Sequence, residues 1–546
     1  MIINNNLIRY LVVLYIMKTK FIVVSGGCVS SIGKGITSST IALLLKSRGY
    51  NVNVIKIDPY LNVDSGTMSP FEHGECYVLE DGSETDLDLG NYERFLETNL
   101  TRLNSITSGQ IYKSVIDNER KGKYLGKTVQ IVPHISDEII KRIEDSLGSD
   151  NNYDFCIIEL GGTVGDIESS IYLEAIRQLG CIYSIFHVHV SLLPRVGDED
   201  KTKPTQTSIR MLMSKGIFPN MLVIRCQDKI NKNVLDKLSL FSSLTYQRII
   251  QNINQPNIYK VPQLFLEQEV DLEILKHFNL AFNKLDYEII DKYNIISNNL
   301  IDAPKKRIGI VGKYIGCNDT YLSIIRAIEH SSYQFNVCPE IVFIENDLIE
   351  ISEKGIDAII IPGGFGYRGC EFKLKAIDIA YILNMPILGI CLGFQLMIVY
   401  LFRNVIGFPN ACHGEWENFN NEKMRNILMF PINKMDDVYK DEEDKGIGGT
   451  MRLGSHSINI KPNTLAHKLY GSDTITERHR HRYGLVEKYK KLLNDDDIVI
   501  SGYSREAEIL EVKNKKFFIG CQYHPEMKTR LNKPHKLFIG LWNAIL

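Results

Sequence analysis

The chain has 546 residues, 44% of them hydrophobic, and its 63 basic and 65 acidic side chains leave a net charge of −2. That length predicts two or more domains with full cores, and the mixed, nearly balanced charge argues against a nucleic-acid partner. Eleven cysteines, odd in number and without a CxxC pair, suit reduced thiols in a soluble cytoplasmic protein rather than a disulfide framework or a zinc site.

Residues 1–17 read as an N-terminal extension. Leu11–Met17 is apolar but too short to span a membrane and carries no small-residue cleavage site, so neither a membrane anchor nor a secretory signal is expected. Phe21–Val24 is a compact apolar strand. It leads into the Gly-rich stretch Ser25 to Thr37, and an apolar helix follows over Thr40–Lys46. Such a strand-to-helix loop is a phosphate cradle, with backbone amides and a helix N-terminus facing the anion and Lys34 adding charge. A regular P-loop would need glycine at position 28 and Ser or Thr at position 35. This chain has Cys28 and Gly35, and an ordinary tight turn remains the alternative.

Glu84, Asp86 and Asp88 alternate with period two, which predicts carboxylates on one strand face. Phe155–Glu159 predicts a buried parallel strand ending in an acid, at the edge where open α/β sheets bind ligands. A lysine loop with such carboxylates suits nucleotide-bound Mg²⁺, although Glu84 and Asp86 also read as surface acids near a turn. Lys201, Lys203 and the hydroxyls of Thr202 and Thr205 form a Pro204-containing loop that could hold a second polyphosphate. A solvated loop explains them as well.

A polar stretch from Asn294 to Asn299, then Ala303–Lys306, predicts a linker over 291–306 between domains at 18–290 and 307–546. Arg307–Val311 starts a fresh sheet. Both halves read strand-helix-strand, so the expected fold class is α/β, with two open, mostly parallel sheets. In the second half, the strand Ala358–Ile361 runs into Pro362-Gly-Gly-Phe-Gly366, where glycines let backbone N–H groups approach a developing oxyanion. Met385–Ile390 is a short strand that delivers Cys391 into a Gly-flanked elbow before an apolar helix over Phe394–Phe402. The elbow exposes the thiol above helix N-terminal amides, which favours a thiolate. Asp436–Asp444 reads as a solvated insertion. Arg482 lies in the basic run Glu477–Tyr483, which alone could be a solvated patch. The strand Phe517–Cys521 ends in Gln522-Tyr-His524-Pro-Glu526, a base with a carboxylate to orient it.

The second half resembles the class I glutamine amidotransferases. In that resemblance Cys391 attacks the glutamine side-chain amide, His524 shuttles the proton and Glu526 holds its tautomer. Gly364 and Leu392 become the oxyanion candidates, and Gly393, Phe394, Gln395, Glu415 and Arg482 fall with them around the glutamine. Such a domain makes ammonia, so the other half must consume it.

From about Lys18 to the C-terminus the chain resembles the CTP synthase family. The motifs are Ser30–Ile36, Lys56–Asn62, Gly66–Pro70, Glu84–Gly90, Gly161–Glu168, Lys201–Gln206, Pro362–Gly369 and Gly449–Gly454. The resemblance implies a P-loop-like Rossmann synthetase in which ATP phosphorylates O4 of UTP and ammonia then displaces phosphate at C4. By carry-over Ser31, Ile32, Gly33, Lys34, Gly35, Ile36, Lys56 and Asp88 bind ATP, and Asp88 and Glu159 hold Mg²⁺. Ser30, Asp166, Ile167, Glu168, Lys201, Thr202, Lys203, Pro204, Thr205, Gln206 and Lys237 would take UTP or the inhibitor CTP. GTP activation, a homotetramer and filaments are implied in the same way. Two other classes stay open: another glutamine-dependent amidoligase, and a filament scaffold derived from the enzyme. Lys201–Gln206 and Asp166–Glu168 argue against the first, and the completeness of both catalytic constellations against the second. Ile253-Asn254-Gln255 departs from the acidic pattern the family has near adenine, and Leu179 to Lys201 is shorter than in bacterial members.

Overall fold

Phe21 and its apolar neighbours form the central strand of a sheet, β1 (Lys20–Gly27), and the chain turns at Gly33 into α1 (Lys34–Ser47). The computed structural model describes residues 19–416, 426–431 and 451–546, apart from 28, 150–151, 314–317, 346, 349–350, 352 and 494–496. The N-terminal extension and the acidic run 436–444 lie outside the described residues. The chain forms two units, one running up to Asp64 and again over Asn91–Ser297, the other made of Ser65–Gly90 and Asn298–Leu546.

The first unit is built on seven parallel strands. Besides β1 these are β2 (Val52–Asp58), β3 (Ser105–Thr107), β4 (Phe155–Leu160), β5 (Ile185–Leu192), β6 (Met221–Cys226) and β7 (Ile249–Ile253). Their order is β7-β6-β5-β1-β4-β2-β3. Continuous apolar runs suit strands buried on both faces, and β4 is buried along its whole length. Lys56 stands opposite Glu159 in register, so both arrive at the carboxyl edge of the sheet near the end of β1.

The second unit carries a nine-stranded sheet whose halves differ. β8 (Lys305–Val311), β9 (Cys338–Ile344), β10 (Ala358–Ile361), β11 (Ile387–Ile390) and β16 (Phe518–Cys521) run parallel in the order β9-β8-β10-β11-β16. The sheet continues antiparallel from β16 through β15 (Ala507–Val512), β14 (Ile498–Tyr503), β12 (Arg452–Ile460) and β13 (Thr474–His481). The helices α5 (Cys370–Ile382) and α6 (Leu392–Leu401) share a core with β10 and β11, and every residue of α6 is buried.

Four sequence readings change. Ser65–Gly90, read as part of the first domain, belongs to the second unit, where Tyr77 Oη donates to the Met527 carbonyl at 2.6 Å and Arg478 and Arg480 pair with Glu80 and Glu84. Glu84 to Asp88 do not share a strand face: only Glu84–Thr85 is strand, and Leu87–Leu96 is helix (α2). The Asp86 carboxylate accepts from the Asp88 N–H at 3.0 Å, a cap that starts the helix. Lys203 opens α3 (Lys203–Ser214) with Pro204 in its first turn, so the expected loop is helical from Lys203 onward. Finally, the Asn-rich linker lies mostly within α4 (Tyr287–Asp302), because Ile290, Tyr293 and Ile296 bury one stripe. Tertiary burial outweighs the poor helix propensity of its asparagines.

Candidate functional site

β11 and α6 meet at Cys391, whose φ of 54° and ψ of −102° lie outside the regions an L-residue prefers. The turn is held on both sides: the Cys391 N–H donates to the Cys521 carbonyl at 2.8 Å, and the second helical position, Gly393, has no room for a side chain. A Cβ on Gly393 would overlap the Ile361 carbonyl, so only glycine lets α6 lie this close to β10. The Cys391 thiol, 3% exposed, lies 3.6 Å from the Arg480 carbonyl. β16 ends one strand over and brings His524, whose Nδ1 is 2.7 Å from Glu526 Oε1. His524 Nε2 is buried without a hydrogen-bond partner in the protein. Burial alone would lower the His524 pKa, but the charges of Glu526 and Cys391 outweigh it and raise the group to about 10. Thiol, imidazole and carboxylate thus line one cavity, with Glu526 orienting the ring, the arrangement that a cysteine nucleophile and its base require.

Across from the thiol, a Cβ on Gly363 would sit 3.0 Å from His524 Cε1 and 3.5 Å from Cys391 Cβ. A cavity of about 100 Å³ is lined by Gly363, Gly364, Phe365, Cys391, Arg480 and His524, with Glu75 and Cys76 from the recruited N-terminal segment. The turn is tied down: Lys313 Nζ donates to the Phe365 carbonyl, and the Gly366 N–H donates to Glu415 at 2.8 Å. Burial raises the Glu415 pKa, against the Gly366 N–H and the charges of Arg482 and Lys313. Arg482 lies over the Phe365 ring at 5.0 Å, and its Nε is buried without a partner.

The structure does not bring every expected glutamine contact to this cavity. Gln395 is 4% exposed and its amide is spent inside the protein. Its nitrogen donates to the Tyr483 carbonyl and Gln522 Oε1, and its oxygen lies 2.9 Å from His413 Nε2. Leu392 and Phe394 are likewise core side chains, so only their backbone can face a ligand. Two residues that sequence reasoning passed over belong here. Arg480 was read only as part of a basic run, yet β13 puts Arg478 and Arg480 on one face, where they meet acids of the Ser65–Gly90 segment. Lys373 gave a signal that went unused, a lysine on the apolar stripe of α5.

In the first unit, the loop after β1 passes Ser31 at φ 54° and Gly33 at φ 92° before α1 begins. Lys34 Nζ donates to the Gly162 carbonyl at 2.8 Å, linking the loop to the turn after β4. Ser30, Ser31 and Ile32 line a cavity of about 390 Å³ together with Arg195, Arg225 and Asn254. Both arginines were missed as site residues, because a single arginine at a strand end has no motif around it. Lys56 lies 3.1 Å from Glu159 and 3.7 Å from Asp58, and Tyr92 donates to Glu159. Asp166, Ile167 and Glu168 form an exposed turn. Lys201 pairs with Glu199, and Lys237 lies on the helix Lys232–Ser242. Thr205 and Gln206 are buried: Thr205 Oγ1 donates to the Leu192 carbonyl at 2.8 Å and fastens α3 to β5, and Gln206 Nε2 donates to Thr202 Oγ1 at 3.0 Å.

Residues 20–280 match the family described as CTP synthase N-terminus, and residues 317–544 match glutamine amidotransferase class-I. A CTP synthase of Prochlorococcus marinus (strain MIT 9211) is 43% identical over 96% of this chain and 94% of that protein. One of Microcystis aeruginosa is 42% identical, covering 97% of each. Among solved structures, the glutaminase domain of a Trypanosoma brucei CTPS with bound acivicin is 30% identical over 44% of this chain and 93% of that one, with a TM-score of 0.38.

Proposed function

This chain belongs to the CTP synthase family, and we propose that a glutaminase centred on Cys391 and a synthetase centred on the Ser30–Ile36 loop divide one reaction between its two units. The protein is a glutamine-dependent ligase of pyrimidine nucleotide synthesis: ATP, UTP, glutamine and water give ADP, phosphate, CTP and glutamate. The observation that carries the division of labour is the buried Cys391–His524–Glu526 arrangement.

In the glutaminase step the Cys391 thiolate adds to the side-chain amide carbon of glutamine. Amides of the Gly363–Gly364 turn and of Leu392 receive the oxyanion, and His524 protonates the departing ammonia. The glutamyl thioester is then cleaved by water that gives its proton to His524. Glu526 keeps the imidazole oriented through both steps. Glu415 and Arg482 suit the α-ammonium and α-carboxylate of the substrate; the remaining contacts fall to Gly364, Gly393 and Phe394 through their backbone.

In the synthetase, Ser31–Ile36 and the α1 N-terminus hold ATP phosphates with Lys34 and Lys56. A carbonyl oxygen leaves poorly until phosphorylated, so the γ-phosphoryl passes to O4 of UTP before ammonia replaces it at C4. Ser30, Asp166–Glu168, Lys201–Pro204 and Lys237 form the pyrimidine-nucleotide site, where CTP competes, with Thr205 and Gln206 supporting it from the buried face of α3. The sheet edge fits Mg²⁺: Asp58 and Glu159 place two carboxylates there beside Lys56, oxygen donors of the kind that ion prefers. Glu159 would hold the ion, which neutralises charge on the transferring phosphoryl when bound. GTP as activator, a homotetramer with filaments, and a cytoplasmic location follow from the family resemblance. Among the described residues no helix is long and apolar enough to cross a membrane.

The test is CTP formation followed by absorbance with each substrate left out in turn. Dependence on ATP, UTP and glutamine together is expected; CTP formation without ATP, or amination of an acceptor other than UTP, overturns the reading.

A further inference from the structure

Lys373 is a charged side chain that none of the steps above uses. It lies on α5 among Cys370, Leu374, Ala376 and Ile377, and it is 1% exposed. Its Nζ donates to the Pro362 carbonyl at 3.2 Å. Among the described residues, no carboxylate lies within ion-pair reach of it; the ionisable groups that act on it are Cys370, Lys313 and Cys391. Burying an ammonium without a counter-ion is unfavourable, and an apolar side chain of the same length would fill the stripe more cheaply. A position that keeps a lysine here has a use for it.

That use lies in the peptide it holds. Pro362 follows β10 and opens the Gly363–Gly364 turn. In a trans peptide the carbonyl and the next N–H point in opposite directions. With the Pro362 carbonyl drawn toward α5, the Gly363 N–H is directed away from α5. The far end of the turn repeats the device: Lys313 holds the Phe365 carbonyl, and the following N–H, that of Gly366, donates to Glu415. Between these two anchors, Gly363 and Gly364 line the cavity that contains Cys391 and His524. Glycines have the widest choice of backbone conformation, so a di-glycine turn keeps one orientation only if its flanking peptides are held.

We propose that Lys373 is a positioning residue of the glutaminase reaction: through the Pro362 carbonyl it holds the Gly363–Gly364 turn so that its amides face the oxyanion formed on the substrate amide. The lysine does not touch glutamine. This inference rests on Cys391 being the glutaminase nucleophile. Because the oxyanion exists only once the thiolate has added, loss of the anchor lowers kcat and leaves glutamine binding largely intact.

The experiment uses the full-length enzyme and three variants. Lys373→Met keeps the length and removes the donor. Lys373→Gln restores a neutral donor of slightly shorter reach, and Cys391→Ala is the reference for the underlying reading. Glutamine hydrolysis is measured for kcat and KM with ATP and UTP present, beside CTP formation from ammonium and thermal melting. For Lys373→Met a fall in kcat of about 10²-fold is expected, with KM within about threefold, and Lys373→Gln should recover a measurable part of it. An unchanged kcat in Lys373→Met overturns the proposal. So does a parallel loss of kcat, of glutamine affinity and of the melting transition in both lysine variants, which would make Lys373 a packing residue only. Should Lys373→Met fail to fold, the kcat of folded Lys373→Gln decides alone: wild-type KM with reduced kcat supports the anchor, and wild-type kcat overturns the proposal. Glutaminase activity surviving in Cys391→Ala would instead sink the nucleophile assignment, whatever Lys373 does.

Discussion

The cysteine elbow and the phosphate loop are built alike, each a strand that passes through left-handed residues onto a helix N-terminus, but their surroundings differ. At the elbow, Cys391 is buried, its partner His524 is already paired with Glu526, and the facing turn is tied at Pro362, Phe365 and Gly366. At the loop, Ser30 and Ser31 are exposed, and Lys34 ties it to the Gly162 carbonyl. In the proposed reaction the elbow reacts with its own atoms, so its geometry must exist before substrate arrives. A polyphosphate brings its own charge and many acceptors, so a loop can be completed by the ligand it holds. A residue that reacts needs a rigid setting, whereas one that binds an anion needs amides and room.

The largest expected effect separates the two devices outright. Cys391→Ala should reduce glutamine-driven CTP formation by several orders of magnitude while ammonium at high pH still supports it, whereas Lys34→Ala should lose synthesis from both nitrogen sources. If Cys391→Ala cannot use ammonium while properly folded, the two centres are not separable. Next in size, Glu526→Gln should lower glutaminase kcat by about 10²–10⁴-fold, since the imidazole loses the partner that fixes its tautomer. Wild-type kcat in that variant would remove Glu526 from the site.

The elbow should also leave a signature in stability against pH. His524 is raised to about 10 in the fold, so its contribution is full below its ordinary value near 6.5 and is lost as pH climbs to about 10. Lys373 has the opposite sign: burial lowers it to about 8, so stability associated with it rises as pH goes from about 8 toward its ordinary 10.5. Denaturant titrations across pH 6–10.5 should show Glu526→Gln flattening the first trend and Lys373→Met removing the second. Equal slopes in wild type and both variants would dissociate these groups from the linkage.

Smaller effects test residues whose role changed between sequence and structure. Gln395→Leu leaves Gln522 Oε1 and His413 Nε2 without their buried partner, while the Tyr483 carbonyl keeps His481 Nδ1, and a loss of about 1–3 kcal/mol per orphaned group is expected. A pure loss of glutamine affinity at unchanged stability would return Gln395 to the substrate. Least of all, Lys201→Ala breaks an exposed pair with Glu199, so stability should shift by no more than about 1 kcal/mol. Its effect should show in the KM for UTP, and an unchanged KM would take Lys201 out of the nucleotide site.

Sequence alone determined the elements whose signals are local. Apolar runs marked β1, β4, β10, β11 and β16, because a strand buried on both faces has no polar positions to disguise it. Glycines marked both turns, and the His-Pro-Glu order after β16 already implied the oriented base, since two residues are a short enough reach for geometry to follow from chemistry. The tertiary structure decided what depends on contacts distant in sequence. It moved Ser65–Gly90 to the second unit through pairs such as Arg480 with Glu84, separated by hundreds of residues. It made a helix of an Asn-rich stretch by burying one stripe, and it turned Gln395 and Thr205 from contact candidates into fastenings of the core. Arg225 at the cavity beside Ser30–Ile32 and Lys373 behind the glycine turn carry no motif, because a lone cation acquires meaning only from the carbonyl, ring or cavity that folding puts beside it.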